Sequence, residues 1–279
     1  MSAQILDGLA LARQIRAELK ERVASMSVVP RIEAIVASQD PASLAYVGMK
    51  RKWATLCGME SGEWAAGPST TQEELIAQVE KLNNDPAVHG ILLQHPLPSH
   101  LDENAALVAL GSKKDVDGIT SASLGLLTAG LPGFRCATPL GMMKILDHYG
   151  IECSGKHAVV IGRSVILGKP AALMLLEKNA TVTVAHSRTV DLPSLVRQAD
   201  IVVAAVGRPE MVKGDWLKPG AVVLDAGYNK VEGRSSDVGD CEYESCAEVA
   251  SWITPVPGGV GPMTVASLLW NTVEAASRQ

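Results

Sequence analysis

Ala158-Val159-Val160-Ile161-Gly162-Arg163-Ser164-Val165-Ile166-Leu167-Gly168-Lys169-Pro170 is the stretch of sequence that decides the fold. It begins with an apolar run typical of a buried strand and ends with a proline suited to the first turn of a helix. The loop between them is bounded by two glycines. Strand, glycine loop and helix make up a nucleotide-binding α/β unit, in which amides at the helix N-terminus meet a pyrophosphate. The spacing is not G-x-G-x-x-G, so the sequence predicts a variant of the dinucleotide loop.

The second half of the chain continues this pattern. We expect strands at 157–161, 180–185, 200–206 and 221–226, and helices at 168–178 and 191–198. Short β-branched strands alternating with helices predict a buried, mostly parallel, Rossmann-like sheet. Residues 229–250 are polar and glycine-rich and are expected to form a loop. A last helix is expected from Met263 to Ala276.

The first half also alternates helix and strand, which predicts a second α/β domain. Asp7 can cap a helix whose apolar face repeats every four residues. A strand is expected at 31–37, a turn at Gln39-Asp40-Pro41, and helices at 42–57, from Thr70/Thr71 to Leu82, and from Thr138 to Tyr149. A further short strand is expected at 90–93. The predicted fold class is α/β with two lobes and a cleft between them. The predicted domains are 1–139 completed by the helix 263–279, and 140–262.

Composition narrows the class of protein. The chain has 279 residues, 47% of them hydrophobic and 20% charged, with a net charge of −5. This balance predicts a globular protein and argues against nucleic-acid or membrane-surface binding, which needs a basic face. No apolar run approaches the roughly 20 residues of a membrane span, and Met1 to Ala10 lacks the shape of a signal peptide. The five cysteines include no C-x-x-C pair, so we expect no disulfide, no metal site and a cytoplasmic protein.

The predicted cofactor loop indicates which dinucleotide would bind. The second strand of the sheet ends at His186-Ser187-Arg188-Thr189, about 20 residues after the loop, where NAD-binding folds place a ribose-binding carboxylate. Here the strand end is polar and basic instead. Arg163 and Ser187 suit a phosphate on that ribose, because a guanidinium can grip it with two hydrogen bonds. The sequence therefore favours NADP over NAD, although Gly162 and Gly168 could also merely tighten a turn.

Candidate catalytic residues lie in the first half. Tyr46 and Lys50 are four residues apart and share one helix face, and Gln94 ends a buried strand, where α/β sheets place ligands. Each has an ordinary alternative: a solvated lysine beside other basic residues, or a polar strand end. Asp115 and Asp117 in a turn would normally be surface charges or a weak cation site, which the neighbouring lysines disfavour.

Taken together, these motifs resemble a family. They are Tyr46-x-x-x-Lys50, Gln94-x-Pro96-Leu97-Pro98, Lys114-Asp115-Val116-Asp117-Gly118, Gly162-Arg163-Ser164-x-Ile166-x-Gly168-x-Pro170, His186-Ser187-x-Thr189, and Pro255-Val256-Pro257-Gly258-Gly259-Val260-Gly261-Pro262-Met263-Thr264. Over nearly its whole length, the chain resembles the bifunctional methylenetetrahydrofolate dehydrogenase/methenyltetrahydrofolate cyclohydrolase proteins. The resemblance implies NADP as cofactor, tetrahydrofolate derivatives as substrates and a homodimer.

The resemblance also implies roles for single residues. Lys50 would be the catalytic lysine, Tyr46 would stack on the folate, Gln94 would orient and tune Lys50, and Asp117 would hydrogen-bond the pterin. The substrate would also contact Pro257, Gly258 and Gly261. The residues implied to bind the cofactor are Gly162, Arg163, Ser164, Gly168, His186, Ser187, Gly207 and Tyr228.

Three departures from the family pattern stand out. His95 replaces a more usual leucine, Cys136-Ala137-Thr138-Pro139 replaces Pro-Cys-Thr-Pro, and Tyr228 replaces an aliphatic residue. His95 could perturb Lys50 through Gln94, and Tyr228 could alter affinity for the cofactor near the nicotinamide.

Two other functions remain open on the sequence alone. One is another two-lobed dehydrogenase, such as a shikimate-type enzyme, and the other is a catalytically silent NADP-binding module.

Overall fold

The computed structural model describes residues 2–37 and 40–278, which form two compact units. The six-stranded unit comprises Met1–Arg13 and Thr138–Thr264, and the three-stranded unit comprises Gln14–Ala137 and Val265–Gln279. In chain order the elements are β1 (Gln4–Ile5), α1 (Gly8–Ala24), β2 (Arg31–Val36), α2 (Pro41–Leu56), β3 (Glu60–Ala65), α3 (Gln72–Asn84), β4 (Gly90–Leu93), α4 (Glu103–Leu110), α5 (Ser121–Thr128), α6 (Ala137–His148), β5 (His157–Ile161), α7 (Gly168–Glu177), β6 (Thr181–Ala185), α8 (Leu192–Val196), β7 (Ile201–Ala204), β8 (Val222–Asp225), α9 (Tyr243–Val249), β9 (Trp252–Ile253) and α10 (Val260–Ala276).

The three-stranded unit is built on a parallel sheet in the order β3-β2-β4. Helix α3 begins with the predicted capping box: Thr71 accepts a hydrogen bond from Glu74 N, and the Glu74 carboxylate accepts one from Thr71 N. The buried side chains of this unit form an apolar core that includes Ile35, Leu75, Val79, Ile91, Leu93 and Leu107. This core fixes β4, and therefore the start of the loop that follows it at Gln94.

The six-stranded unit contains a parallel sheet in the order β1-β9-β8-β7-β5-β6. The chain leaves β5 through α7 to β6 on one side, and then returns through α8 to β7 on the other side of β5. This reversal is a topological switch point, and ligands of such sheets bind at the carboxyl ends of the strands beside it. The predicted α/β class with a mostly parallel, Rossmann-like sheet is therefore confirmed.

Most predicted elements are present, and the differences have physical causes. The first 13 residues, predicted to lie in the catalytic domain, group with the six-stranded unit because β1 pairs with β9. The prediction of loop throughout 229–250 is wrong for α9, whose inward face buries Cys246 and Ala247 in an otherwise polar segment. Helix α10 begins at Val260, three residues earlier than predicted, because a first turn tolerates proline.

Five further elements, β1, β3, α4, α5 and β9, were not predicted. Strand β3 carries two glutamates and a glycine, and it forms only because it lies at the edge of the sheet, paired along its length with β2. The predicted turn at Gln39 lies outside the described residues.

Candidate active site

Lys50 is buried in the three-stranded unit with only 7% of its surface exposed. Its Nζ lies 3.2 Å from Gln94 Oε1, to which it donates a hydrogen bond, and 4.5 Å from the centroid of the Tyr46 ring. Tyr46 is one helical turn earlier on α2, as the four-residue spacing predicts. The alternative of a solvated surface lysine is therefore wrong, and the structure brings Tyr46, Lys50 and Gln94 together.

The surroundings of Lys50 make its proton easier to remove. Burial lowers the pKa of the Lys50 ammonium, because the charged form loses hydration, and the negative charge of Asp117 opposes this shift. The hydrogen bond from Lys50 goes to a neutral amide rather than to a carboxylate. An amine in this environment can both accept and release a proton nearer to neutral pH than an exposed lysine can.

The amide of Gln94 has one favourable orientation. Its Nε2 donates to the His95 backbone oxygen at 2.9 Å, while its Oε1 accepts from Lys50. The Gln94 backbone N–H donates to Ile35 O at 2.9 Å, which fixes this residue at the carboxyl end of the sheet. Gln94 is 8% exposed, so its side chain is held between these partners rather than solvated.

The turn Asp115–Gly118, which carries Asp117, is held in shape by the buried carboxylate of Asp115. Asp115 is fully buried and accepts hydrogen bonds from Gly118 N, Thr120 N and Ser123 Oγ at 2.9, 2.8 and 2.6 Å. Burial raises the pKa of the Asp115 carboxyl. Asp117 remains partly exposed and free to meet a ligand. The expectation of ordinary surface charge is therefore wrong for Asp115, which is a structural residue that shapes the turn.

The cofactor loop requires both of its glycines. Gly162 has φ +128°, and a Cβ placed there would lie 2.2 Å from Ala205 O. A Cβ on Gly168 would lie 2.3 Å from Gly162 O. Ser164 Oγ accepts a hydrogen bond from Gly168 N at 3.3 Å, which draws the loop onto the start of α7. The backbone therefore passes close to the helix N-terminus with no side chain in the way, as a dinucleotide pyrophosphate requires.

The end of β6 lies beside this loop. Strands β5 and β6 are parallel neighbours, with Ile161 opposite Ala185, and Gly162 N donates to Ala185 O at 2.8 Å. The segment His186–Thr189 is a closed turn, because His186 N donates to Thr189 Oγ1 and Thr189 N to His186 O.

The exposed side chains on these two adjacent loops include Arg163, Ser187 and Arg188. Within the described residues, the Arg163 guanidinium has no hydrogen-bonding or ion-pair partner. Exposed, unpaired cations beside the loop fit the phosphate that distinguishes NADP from NAD.

A buried pair of carboxylates organises the loops after β7 and β8. Asp240 accepts hydrogen bonds from Val206 N, Gly207 N and Arg208 N at 2.6, 3.0 and 2.8 Å. Asp225, at the end of β8, accepts from the backbone N–H groups of Gly227, Asp240 and Cys241. Neither aspartate was among the predicted site residues, although an acidic residue that ends a buried strand is itself a signal. Gly207 lies in this network, whereas the Tyr228 side chain is 65% exposed.

The titration of Asp225 leads to a prediction. Burial and the charge of Asp240 raise the pKa of the Asp225 carboxyl from 3.8 to about 6. The folded state then takes up a proton at higher pH than the unfolded state does. Its free energy of unfolding should therefore rise as pH falls from about 7 to about 4, by up to about 3 kcal/mol from this group. Asp225→Asn should lack this contribution.

Urea unfolding of both proteins at several pH values measures that difference. Asp215→Asn, at an exposed aspartate of the same unit, is the matched control and should follow the wild type. Parallel pH curves for wild type and Asp225→Asn would contradict the assignment.

Of the remaining predicted substrate residues, Pro257 and Gly258 lie on the turn before α10 and Gly261 lies in the first turn of that helix. Gly258 has φ +113°, and its carbonyl accepts a hydrogen bond from Leu9 N at 2.8 Å. Pro257 and Gly261 are exposed. All three belong to the six-stranded unit, together with the predicted cofactor residues, whereas Tyr46, Lys50, Gln94 and Asp117 belong to the three-stranded unit.

The fold and these two sets of residues define a class: a two-unit, dinucleotide-binding α/β enzyme with a buried lysine whose pKa is lowered. Within this class, residues 6–117 match the catalytic domain of the tetrahydrofolate dehydrogenase/cyclohydrolase family, and residues 136–279 match its NAD(P)-binding domain. The chain belongs to that family.

Individual relatives agree with this assignment. The bifunctional protein FolD of Teredinibacter turnerae is 52% identical over 100% of this chain and 99% of its own. The crystal structure of the bifunctional FolD methylenetetrahydrofolate dehydrogenase/cyclohydrolase from Campylobacter jejuni has a TM-score of 0.97 and 43% identity, covering 99% of both chains. The Trypanosoma brucei enzyme, complexed with NADP cofactor and inhibitor, has a TM-score of 0.95 and 38% identity, covering 100% of this chain and 98% of that one.

In the ranges 2–37 and 40–278, no helix is both long and apolar enough to cross a membrane. In the same ranges, no three histidine, cysteine, aspartate or glutamate side chains come together as a possible metal site.

Proposed function

We propose that this chain catalyses the NADP-dependent oxidation of 5,10-methylenetetrahydrofolate to 5,10-methenyltetrahydrofolate and the hydrolysis of that product to 10-formyltetrahydrofolate. The observation that carries the proposal is the buried Lys50, with its lowered pKa and its hydrogen bond to Gln94. Family membership over nearly the whole chain supports it and disfavours another two-lobed dehydrogenase.

In the oxidation, the three-stranded unit acts as the catalytic domain and the six-stranded unit as the NADP-binding domain. Tyr46 supports the folate by stacking, Asp117 hydrogen-bonds the pterin, and Lys50 and Gln94 lie beside the reacting carbon. When bound, NADP⁺ accepts the hydride. The chain itself supplies alignment, which is the main requirement of hydride transfer. The residues proposed to hold the cofactor are Gly162, Arg163, Ser164, Gly168, His186, Ser187, Gly207 and Tyr228, and those completing the folate site are Pro257, Gly258 and Gly261.

In the hydrolysis, water adds to the methenyl carbon, one C–N bond of the bridge breaks, and one proton is released overall. Neutral Lys50 takes a proton from the attacking water, and its ammonium returns a proton to the nitrogen that leaves the bridge. Both roles need an amine whose two protonation states are close in free energy, and burial provides this. Gln94 keeps Lys50 Nζ pointed at the reacting atoms.

The direct test is turnover. Purified protein given 5,10-methylenetetrahydrofolate and NADP⁺ should form NADPH, and given 5,10-methenyltetrahydrofolate it should lose the methenyl absorbance. NADP binding without turnover of either substrate would favour the catalytically silent module instead.

Cofactor choice gives a second prediction. Arg163→Ala should weaken NADP binding by about ten- to a hundredfold, the value of a lost charge-assisted hydrogen-bonded pair, and change NAD use little. Lys156→Ala is the matched control. Lys156 is an exposed cation that immediately precedes β5, whereas Arg163 lies in the loop after the carboxyl end of that strand. Initial rates with each cofactor measure the ratio. If the variant loses activity equally with NADP and with NAD, Arg163 contacts a part of the dinucleotide that both cofactors share, and not the 2′-phosphate.

We also propose that the enzyme is a cytoplasmic homodimer. The resemblance to the family is the support for the dimer, and light scattering at micromolar concentration tests it. The cysteines at 57, 136, 153, 241 and 246 are all free and buried, which suits a reducing compartment.

A further inference from the structure

The loop that carries Gln94 is fastened to the start of helix α4 at two points. Leu97 N donates a hydrogen bond to Glu103 Oε2 at 3.1 Å, and Glu103 Oε1 lies 2.9 Å from His95 Nδ1. Glu103 is itself held in place, since Gln72 on α3 bonds to both the N–H and the carbonyl of the preceding Asp102. One carboxylate therefore connects the loop to two helices of the three-stranded unit.

The imidazole of His95 is an unusual part of this attachment. Both ring nitrogens are shielded from solvent, and neither makes a hydrogen bond of good geometry. The Glu103 carboxylate lies 2.9 Å from Nδ1, but out of line for a hydrogen bond. A buried polar group without a hydrogen bond costs about 1–3 kcal/mol, so the position of this ring against Glu103 is not explained by hydrogen bonding.

The position of His95 determines the orientation of Gln94. The His95 backbone oxygen accepts from Gln94 Nε2, and this leaves Gln94 Oε1 facing Lys50. In the flipped amide, two oxygens would face each other and an NH₂ group would face the ammonium. The 3.2 Å bond to Lys50 is already long, so a small movement of the loop would break it.

We propose that Glu103 and His95 are positioning residues for the hydrolysis: their contact holds the loop so that the Gln94 amide oxygen faces Lys50 Nζ. This inference rests on the proposed function of Lys50 and extends it to two residues outside the proposed substrate and cofactor sites. Hydrolysis should depend on them more than oxidation does, because hydrolysis needs Lys50 to exchange protons at a defined place, whereas oxidation needs alignment of the whole folate.

Three substitutions separate the contacts. Glu103→Ala removes both, Glu103→Gln keeps an acceptor for Leu97 N–H but loses the charge facing His95, and His95→Leu removes the ring nitrogens. Glu80→Gln, at an exposed glutamate of α3, is the matched control. If Glu103→Ala is too unstable to purify, the other two variants carry the test.

We expect Glu103→Ala to lower kcat for hydrolysis about tenfold while its KM for the methenyl substrate and its dehydrogenase kcat change less than about threefold. Glu103→Gln and His95→Leu should each lose less, and their double variant should lose no more than the larger single effect, because both break one contact.

A pH profile distinguishes positioning from general weakening of the fold. The hydrogen bond that Lys50 Nζ donates to Gln94 Oε1 favours the Lys50 ammonium. Loosening this bond should therefore move the Lys50-dependent limb of the hydrolysis profile to lower pH. The groups that face Lys50, namely Tyr46, Gln94 and Asp117, are unchanged in these variants. The limb should shift in Glu103→Ala and stay in place in Glu80→Gln.

The outcomes can be told apart. Wild type that turns over neither folate substrate would overturn the proposed function and this inference together. Active wild type with unchanged hydrolysis kcat and an unmoved pH limb in Glu103→Ala and His95→Leu would overturn this inference alone. Equal losses of both activities would also overturn it, because they would indicate a purely structural role.

Discussion

Lys50→Met should abolish hydrolysis of 5,10-methenyltetrahydrofolate, with kcat reduced by about a thousandfold or more. General acid–base catalysis is worth about 10² to 10⁴ in rate, and here one amine would perform both proton transfers. Methionine has a similar length and no proton to exchange, so it fills the buried site beside Gln94 without leaving a void. Loss of methenyl absorbance, followed by stopped flow, measures the effect.

Oxidation should survive this substitution better, because it transfers a hydride and needs no protonated or deprotonated lysine. Lys52→Met is the matched control: Lys52 is an exposed lysine of the same helix and should keep both activities. A Lys50→Met enzyme with full hydrolysis rate would remove Lys50 from the mechanism. In wild type, the activity limb governed by Lys50 should lie below the pKa of 10.5 of an ordinary lysine.

The second large effect is expected at the cofactor loop. Gly162→Ala forces a Cβ to within 2.2 Å of Ala205 O at a φ of +128°, which alanine rarely adopts. Backbone strain and steric overlap should together lower the stability of this conformation by about 2–5 kcal/mol. The loop can relieve them only by moving away from β7. Because that loop passes the proposed pyrophosphate, NADP binding should fall by at least about a hundredfold.

Calorimetric titration with NADP and chemical unfolding measure the two consequences separately. Gly125→Ala is the matched control, because nothing lies within 4 Å of a Cβ at this helical position. It should leave binding unchanged and raise stability by up to about 1 kcal/mol. Wild-type affinity in a stably folded Gly162→Ala protein would show that the close approach is unimportant for the cofactor.

Local patterns in the sequence were sufficient for most of the fold. The capping box at Thr71, the apolar period of α1 and the β-branched runs of the second sheet each depend on neighbours within a few residues, so they can be read without tertiary information. Strand β3 could not, since its six residues are a strand only through their pairing with β2.

The candidate site divides in the same way. The sequence by itself determined the glycine loop with its arginine and the Tyr46–Lys50 spacing, because loop chemistry and helix period are local. Only the tertiary structure decided that Lys50 is buried against Gln94, that Asp115 is structural while Asp117 is available, and that Glu103 holds His95. Lys50 meets Gln94 across 44 positions of the chain, and His95 meets Glu103 only because the loop after β4 folds back onto the start of α4. Proximity of that kind is created by packing rather than by sequence spacing.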